Sequence, residues 1–217
     1  MTAPGGQVER VKPRFRGVSH QYGFFLSLVT GALLVTSATS PSAALGALVF
    51  SASLSGLLGT SALYHRVDWT PARRALMRRM DHAMIYVLIA GTFTPVVMRS
   101  LEPDASRTWL YLTWGLAGLC GLLRIVWLTA PKWITAVLAV ALGWFPIGTL
   151  PQVVASIGWP PVALIAVGGM TYTVGAAVYA LKRPDPLPAV FGYHEIFHAL
   201  VLLGAGLHYV AIALWVI

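Results

Sequence analysis

An all-α membrane protein, one bundle of seven transmembrane helices, is the fold class this sequence predicts, and three observations carry it. Hydrophobic residues make up 57% of the 217-residue chain and charged residues only 10%. The mean hydropathy of +0.74 lies well beyond ordinary soluble domains. The apolar positions also gather into seven runs, each long enough to cross a hydrocarbon core of ~30 Å.

The runs divide the chain into a basic leader, 1–20, and a membrane domain, 21–217. The leader is expected to be only partly ordered. It has no small-residue cleavage site and six further runs follow the first, so it is not read as a signal peptide. The first run, 21–39, turns at Ser40-Pro41-Ser42 into the second, 43–64. The third, 82–98, should bend near Pro95, which lacks a backbone donor. Glu102-Pro103-Asp104 marks the turn into the fourth run, 109–129, and the fifth covers 133–150. Trp159-Pro160-Pro161 introduces the sixth, 161–181, and the seventh is 192–217. Gly115, Ala117, Gly118 and Gly121 in the fourth run, with Gly168, Gly169 and Gly175 in the sixth, predict close helix packing. Cys120 is the single cysteine, which excludes an intramolecular disulfide.

The connection 66–80 is the longest, and is read as a basic loop on the cytoplasmic side. Thr70-Pro71 offers an N-cap and a proline at the first helical position. Arg73, Arg74, Arg78 and Arg79 recur among Leu76, Met77 and Met80, the pattern of a short helix lying on an anionic leaflet.

The net charge of +8 is a topology signal rather than a nucleic-acid footprint. Thirteen of the 15 basic residues fall on one side of the seven runs, and only Arg99 and Arg107 on the other. The amino terminus is therefore expected in the cytoplasm and the carboxyl terminus outside, in a multi-pass protein of the bacterial cytoplasmic membrane. Membrane lipids are the expected partners, and nucleic acid is not.

Topology fixes depth, and depth gathers the polar groups. His65 closes the second run on the cytoplasmic side, Asp81 opens the third there, and His194 and His198 open the seventh. One turn of helix separates His194 from His198, so both rings leave one face and can reach one ion. Three histidines suit a catalytic zinc site with one position left for water. Asp81 can then orient that water or act as its base. Ser61, one turn before His65 on the same face, can bond the water or a substrate carbonyl, or simply bond back to its own helix. His208 lies ~15 Å beyond His198 along the helix and is read as packing or cavity-lining. His82 is read as interfacial, and a supporting role is open for His20. His194-Glu195-x-x-His198 also matches the H-E-x-x-H string in which glutamate is the base of a metalloprotease, with no further histidine at the spacing of the longer motif. Glu195 is read as a supporting or interfacial residue.

Arg16-Gly17-Val18-Ser19-His20, Ser61-Ala62-Leu63-Tyr64-His65-Arg66, Asp81-His82-Ala83, Ile89-Ala90-Gly91-Thr92-Phe93-Thr94-Pro95 and Phe191-Gly192-Tyr193-His194-Glu195-Ile196-Phe197-His198 occur in the order in which similar segments occur in the bacterial hemolysin III family. The chain resembles that family from Lys12 onward, and through it the progestin and adiponectin receptors and the alkaline ceramidases. The resemblance implies a seven-helix bundle with zinc near the cytoplasmic face, His65, His194 and His198 as ligands, and Ser61 and Asp81 completing the set. It also implies hydrolysis of a lipid amide; the three-histidine layer beside hydrocarbon extends the expectation to a lipid amide or ester. The adiponectin-receptor branch has glutamine where this chain has Glu195, which implies that Glu195 is not the shared catalytic group. Three alternatives stand beside a zinc-dependent lipid hydrolase: a pore-forming protein, a membrane-homeostasis protein with structural zinc, and an H-E-x-x-H membrane protease.

Overall fold

The computed structural model describes residues 12–127 and 129–217, so Arg10 and the rest of leader positions 1–11 lie outside the described residues. Eight helices make seven spans: α1 (Val18–Thr36), α2 (Pro41–Arg66), α3 (Pro71–Ser100), α4 (Pro103–Val126), α5 (Lys132–Trp144), α6 (Leu150–Ile157), α7 (Trp159–Leu181) and α8 (Tyr193–Trp215). All seven spans are long and apolar enough to cross a bilayer, with α5 and α6 sharing the fifth.

Local chemistry sets the breaks. The Ser40 hydroxyl caps α2 by accepting the Ala43 N–H at 3.2 Å, and prolines occupy the first turns of α2, α3, α4 and α7. In the fifth span Pro146 and Pro151 remove two backbone donors. A 3₁₀ turn, Phe145–Thr149, bridges α5 and α6, and the span continues to Ile157 rather than stopping at position 150. Gly158, at φ +80°, then turns the chain into α7.

The basic connection at 66–80 is mostly not a loop. Only 67–70 lie outside helix, and positions 71–80 are the first turns of α3. No glycine or proline lies between Pro71 and Gly91, so nothing stops the helix where the hydrocarbon ends. Its 30 residues span about 45 Å, more than the hydrocarbon needs, and its arginine-rich start extends beyond the apolar run. The helix also continues through Pro95, which packs on Gly46 of α2; a Cβ at Gly46 would lie 2.9 Å from the proline ring.

Packing is inside out by the standards of a soluble domain. Phe25, Leu26, Val29, Leu48, Leu119, Met170, Val174, Leu203 and Val210 are exposed, whereas His20, Ser51, Ser61, His65, Thr113, His194 and His198 are buried. Such an apolar belt would aggregate in water and is satisfied by lipid. Helices α1, α2, α3, α5, α7 and α8 pack around a common interior, while α4 packs mainly on the outside of α3. The small residues divide accordingly. Gly168 admits His208 of α8 and Gly175 admits Leu200, but Gly115 and Gly118 of α4 meet nothing within 4 Å. The close packing expected in the fourth span is therefore confined to Ala117 and its buried neighbours Cys120 and Gly121. Helical spacing alone gives no rotation about the helix axis, and the rotation adopted turns those two glycines outward.

Candidate metal centre

His65 is the penultimate residue of α2, and His194 and His198 occupy the first two turns of α8. Joining them requires the start of α8 to be fixed against the end of α2. Two carboxylates fix it. Asp185 Oδ1 accepts the Tyr193 N–H at 2.9 Å, and Glu195 Oε2 accepts the Gly192 N–H at 2.9 Å; both N–H groups belong to the otherwise unsatisfied helix start. Glu195 Oε1 receives Arg16 Nε at 2.5 Å.

The leader completes the clamp. Arg14 and Phe15 donate backbone N–H bonds to Ala189 and Val190 at 3.0 and 3.2 Å, which ties residues 12–17 to the α7–α8 connection and lets α1 begin at Val18. Gly17, at φ +78°, then passes directly over His65. A Cβ there would lie 2.5 Å from His65 Cβ, so glycine is required by both backbone and space.

Within this clamp the three imidazoles converge. Ring centroids lie 4.8 Å apart for His65 and His194, 5.1 Å for His65 and His198, and 4.5 Å for His194 and His198. One nitrogen from each ring lies within 4.8 Å of the others. His65 Nε2 and His194 Nε2 are 3.1 Å apart, near the ~3.3 Å separation of two nitrogens bound tetrahedrally at ~2.0–2.1 Å. His198 Nδ1 is buried with no hydrogen-bond partner among the described residues. Three imidazoles from two helices, converging in one buried space, form a donor set that fits a transition metal.

The remaining predicted groups surround this cluster. Asp81 and Ser61 line the same cavity as His194 and His198, and face each other across α2 and α3. The Ser61 hydroxyl makes no bond back to its own helix and is directed at the Asp81 carboxyl. His20 stacks flat on His198, with centroids 3.8 Å apart and planes 9° apart. It thereby fixes the ring from the α1 side.

His82 is more than interfacial. Nδ1 lies 2.7 Å from the Arg78 carbonyl, which can only accept, so Nδ1 carries the proton and Nε2 accepts from the Tyr179 hydroxyl at 3.0 Å. His208 donates from Nε2 to the Ile165 carbonyl at 2.9 Å and lines the cavity far from the cluster. Tyr179 itself escaped the sequence reading, although Tyr172 and Tyr179 are two turns apart on α7, a spacing that puts both on one face. Both line the cavity.

The cavity has a volume of about 270 Å³ and a predominantly apolar wall. It runs from the histidine cluster past Ile85, Leu88, Ile89 and Val96 of α3, and past Phe197, Val201 and Ile212 of α8. The distance from His194 to Ile212 along α8 is about 27 Å, close to the full hydrocarbon thickness.

Glu195 takes no part in this space. It is 3% exposed and both its oxygens are occupied by the α8 start and Arg16, leaving no position from which to act as a protease base. Replacing Glu195 with Ala should lower stability by about 2–3 kcal/mol, below the usual cost of breaking a fully buried pair because Arg16 keeps 21% exposure. Thermal unfolding in detergent measures this. A catalytic base would instead lose activity at unchanged stability.

The haemolysin-III-related family model matches residues 8–209. The chain belongs to the hemolysin III family. That family lies within the progestin and adiponectin receptor superfamily. The chain is 28% identical over 192 residues to the hemolysin-3 homolog of Bacillus subtilis (strain 168), covering 87% of this chain and 86% of that one. It is 26% identical over 203 residues to hemolysin-3 of Bacillus cereus, covering 92% and 90%. Heptahelical transmembrane protein 4 of Arabidopsis thaliana is 30% identical over 151 residues, covering 62% of this chain and 39% of the plant protein. The matched hemolysin III region contains every clustered histidine together with Ser61 and Asp81.

Proposed function

We propose that this hemolysin III protein is a zinc-dependent hydrolase of the cytoplasmic membrane that cleaves a lipid amide or ester. The observation that supports it best is the placement of a buried three-histidine cluster, with an aspartate and a serine beside it, at one end of a long apolar cavity. The bias of basic residues to that end supports a cytoplasmic position for it by the positive-inside rule.

His65, His194 and His198 would hold the ion. Zinc in such a site polarises a carbonyl and makes water a competent nucleophile near neutral pH. Asp81 takes the proton from the attacking water on its carboxylate and returns it to the leaving amine or alcohol. Ser61 Oγ donates to the carbonyl oxygen of the scissile bond. The apolar wall holds an acyl chain, and that binding energy orients the bond against Asp81 and Ser61. His20, stacked on His198, keeps the ring in register.

The test is fatty-acid release by purified protein from a panel of ceramides, other N-acyl lipids and ester lipids. Release that stops with a chelator and returns with zinc is expected; a panel with no chelator-sensitive release would remove the catalytic reading. The pore-forming reading suggested by the name hemolysin-3 of the Bacillus cereus relative gains no support from a cavity with a mainly apolar wall, since a conducting pore needs a polar lining.

A further inference from the structure

Beside the cluster, toward α4, lies a group of cations that no acid pairs with among the described residues. Arg124, near the end of α4, is 6% exposed. Among the described residues its one hydrogen bond is a long one, 3.4 Å from Nη1 to the Trp127 carbonyl, and its Nε has no partner. A guanidinium carries five N–H donors, so most of its capacity is unused where water does not reach. Arg79 of α3 likewise has a buried Nε without a partner. The two share a seam. Gly121 of α4 faces Ala83 of α3, so Arg79, one turn before Ala83, and Arg124, about one turn after Gly121, flank the same antiparallel contact on the basic side.

Lys132, at the start of α5, closes the group. Its ammonium donates to the Tyr193 hydroxyl at 2.8 Å and sits 4.6 Å from the Tyr179 ring centre and 4.9 Å from that of Tyr193. Arg124 and Lys132 both lie within electrostatic reach of His82, and Arg124 of Tyr179. His82 and Tyr179 line the apolar cavity. No acid answers these charges among the described residues. Glu195 pairs with Arg16 and Asp104 with Arg107, Asp68 is exposed, Glu102 is the N-cap residue at the opposite end of α4, Asp185 accepts from Tyr193, and Asp81 makes no ion pair.

A buried guanidinium without a counter-charge, as at Arg124, is costly unless one arrives, and the half-buried Arg79 and Lys132 add positive charge beside it. We propose that Arg79, Arg124 and Lys132 form a recognition site for the phosphate of a phosphate-bearing lipid whose acyl chain enters the neighbouring cavity. Two guanidinium forks and an ammonium suit phosphate, which offers several acceptor oxygens and more than one negative charge. This deepens the proposed function and rests on its lipid ligand, naming the head group that the hydrolase selects.

The test uses full-length protein stripped of metal, so that no turnover consumes the probe. It is heated in neutral detergent with dioleoyl phosphatidic acid, or with dioleoylglycerol, which has the same chains and no phosphate. Phosphatidic acid is expected to raise the unfolding midpoint where dioleoylglycerol does not. Its half-saturating concentration should rise at least about tenfold in Arg124→Gln and in Arg79→Gln, and stay unchanged in Arg73→Gln, whose side chain is exposed on the same helix. Removing an unpaired buried charge leaves the lipid-free midpoint of Arg124→Gln no lower than that of the parent. Should that variant not fold, Arg79→Gln decides. Equal responses in parent and variants, an equal loss in Arg73→Gln, or an equal shift with dioleoylglycerol would overturn the proposal. So would an equal shift with inorganic phosphate, which would make the ligand a free anion. A missing hydrolase activity leaves this binding result standing, and a missing binding result leaves zinc-dependent hydrolysis of an uncharged lipid standing.

Discussion

His65→Ala should lose bound zinc and lipid hydrolysis together while remaining folded. The imidazole is one of three whose nitrogens lie within 4.8 Å of one another, and two imidazoles cannot replace the three-ligand set of a catalytic zinc site. Zinc content should fall from about one ion per chain to a small fraction of that, since losing a ligand exceeds the roughly 10–100-fold cost of losing an outer partner of one. The fold should survive for a physical reason. α2 is held along its length by α1 and α3, and α8 by α7, whereas the start of α8 is fixed by Asp185, Glu195 and Arg16 rather than by the metal. Metal analysis, fatty-acid release and thermal unfolding on one preparation separate the readings. An enzyme loses the first two with a modest change in the third; a protein whose zinc is structural loses its fold.

Asp81→Asn should do the opposite to the metal and nearly the same to turnover. Asp81 lines the cavity beside Ser61 but lies outside the three-nitrogen group, so the amide should leave zinc content unchanged. It cannot take a proton, and general acid–base groups contribute roughly 10²–10⁴-fold. Fatty-acid release should fall by that factor at constant zinc content. A variant that loses zinc in proportion to activity would make Asp81 a ligand, and one that keeps its rate would move the proton transfer to another group.

How much of this could be read from the sequence depends on what kind of force sets each feature. Hydropathy counts residues against a fixed slab of hydrocarbon, so the seven spans were legible to within a few residues at most ends. Charge bias works the same way, and it brought His65, Asp81, His194 and His198 to one layer before any packing was known. Features that depend on helix rotation or on long-range partners were not legible. Gly115 and Gly118 have the spacing of a packing face and point away from the bundle. His82 follows Asp81 directly, yet its partner Tyr179 lies 97 positions on. Glu195 sits inside a five-residue protease string, and its role is decided by Arg16, 179 positions earlier. The long start of α3 was missed for a different reason: the end of an apolar run marks where lipid ends, and a helix without a breaker does not stop there.

Gly17 belongs to a segment shared with the family, and the reason for a glycine there is His65 directly beneath it. His20 in the same segment turned out to be the stacking partner of His198. The leader thus belongs to the site it precedes: Arg16 fixes the start of α8, Gly17 covers His65, and His20 supports His198.

The central claim is a metal ion among three histidines, and anomalous diffraction across the zinc absorption edge tests it most directly. Crystals of protein purified without chelators should give one strong peak, present above the edge and absent below it, between His65, His194 and His198. Featureless anomalous density there, in crystals whose protein has never met a chelator, would contradict the account.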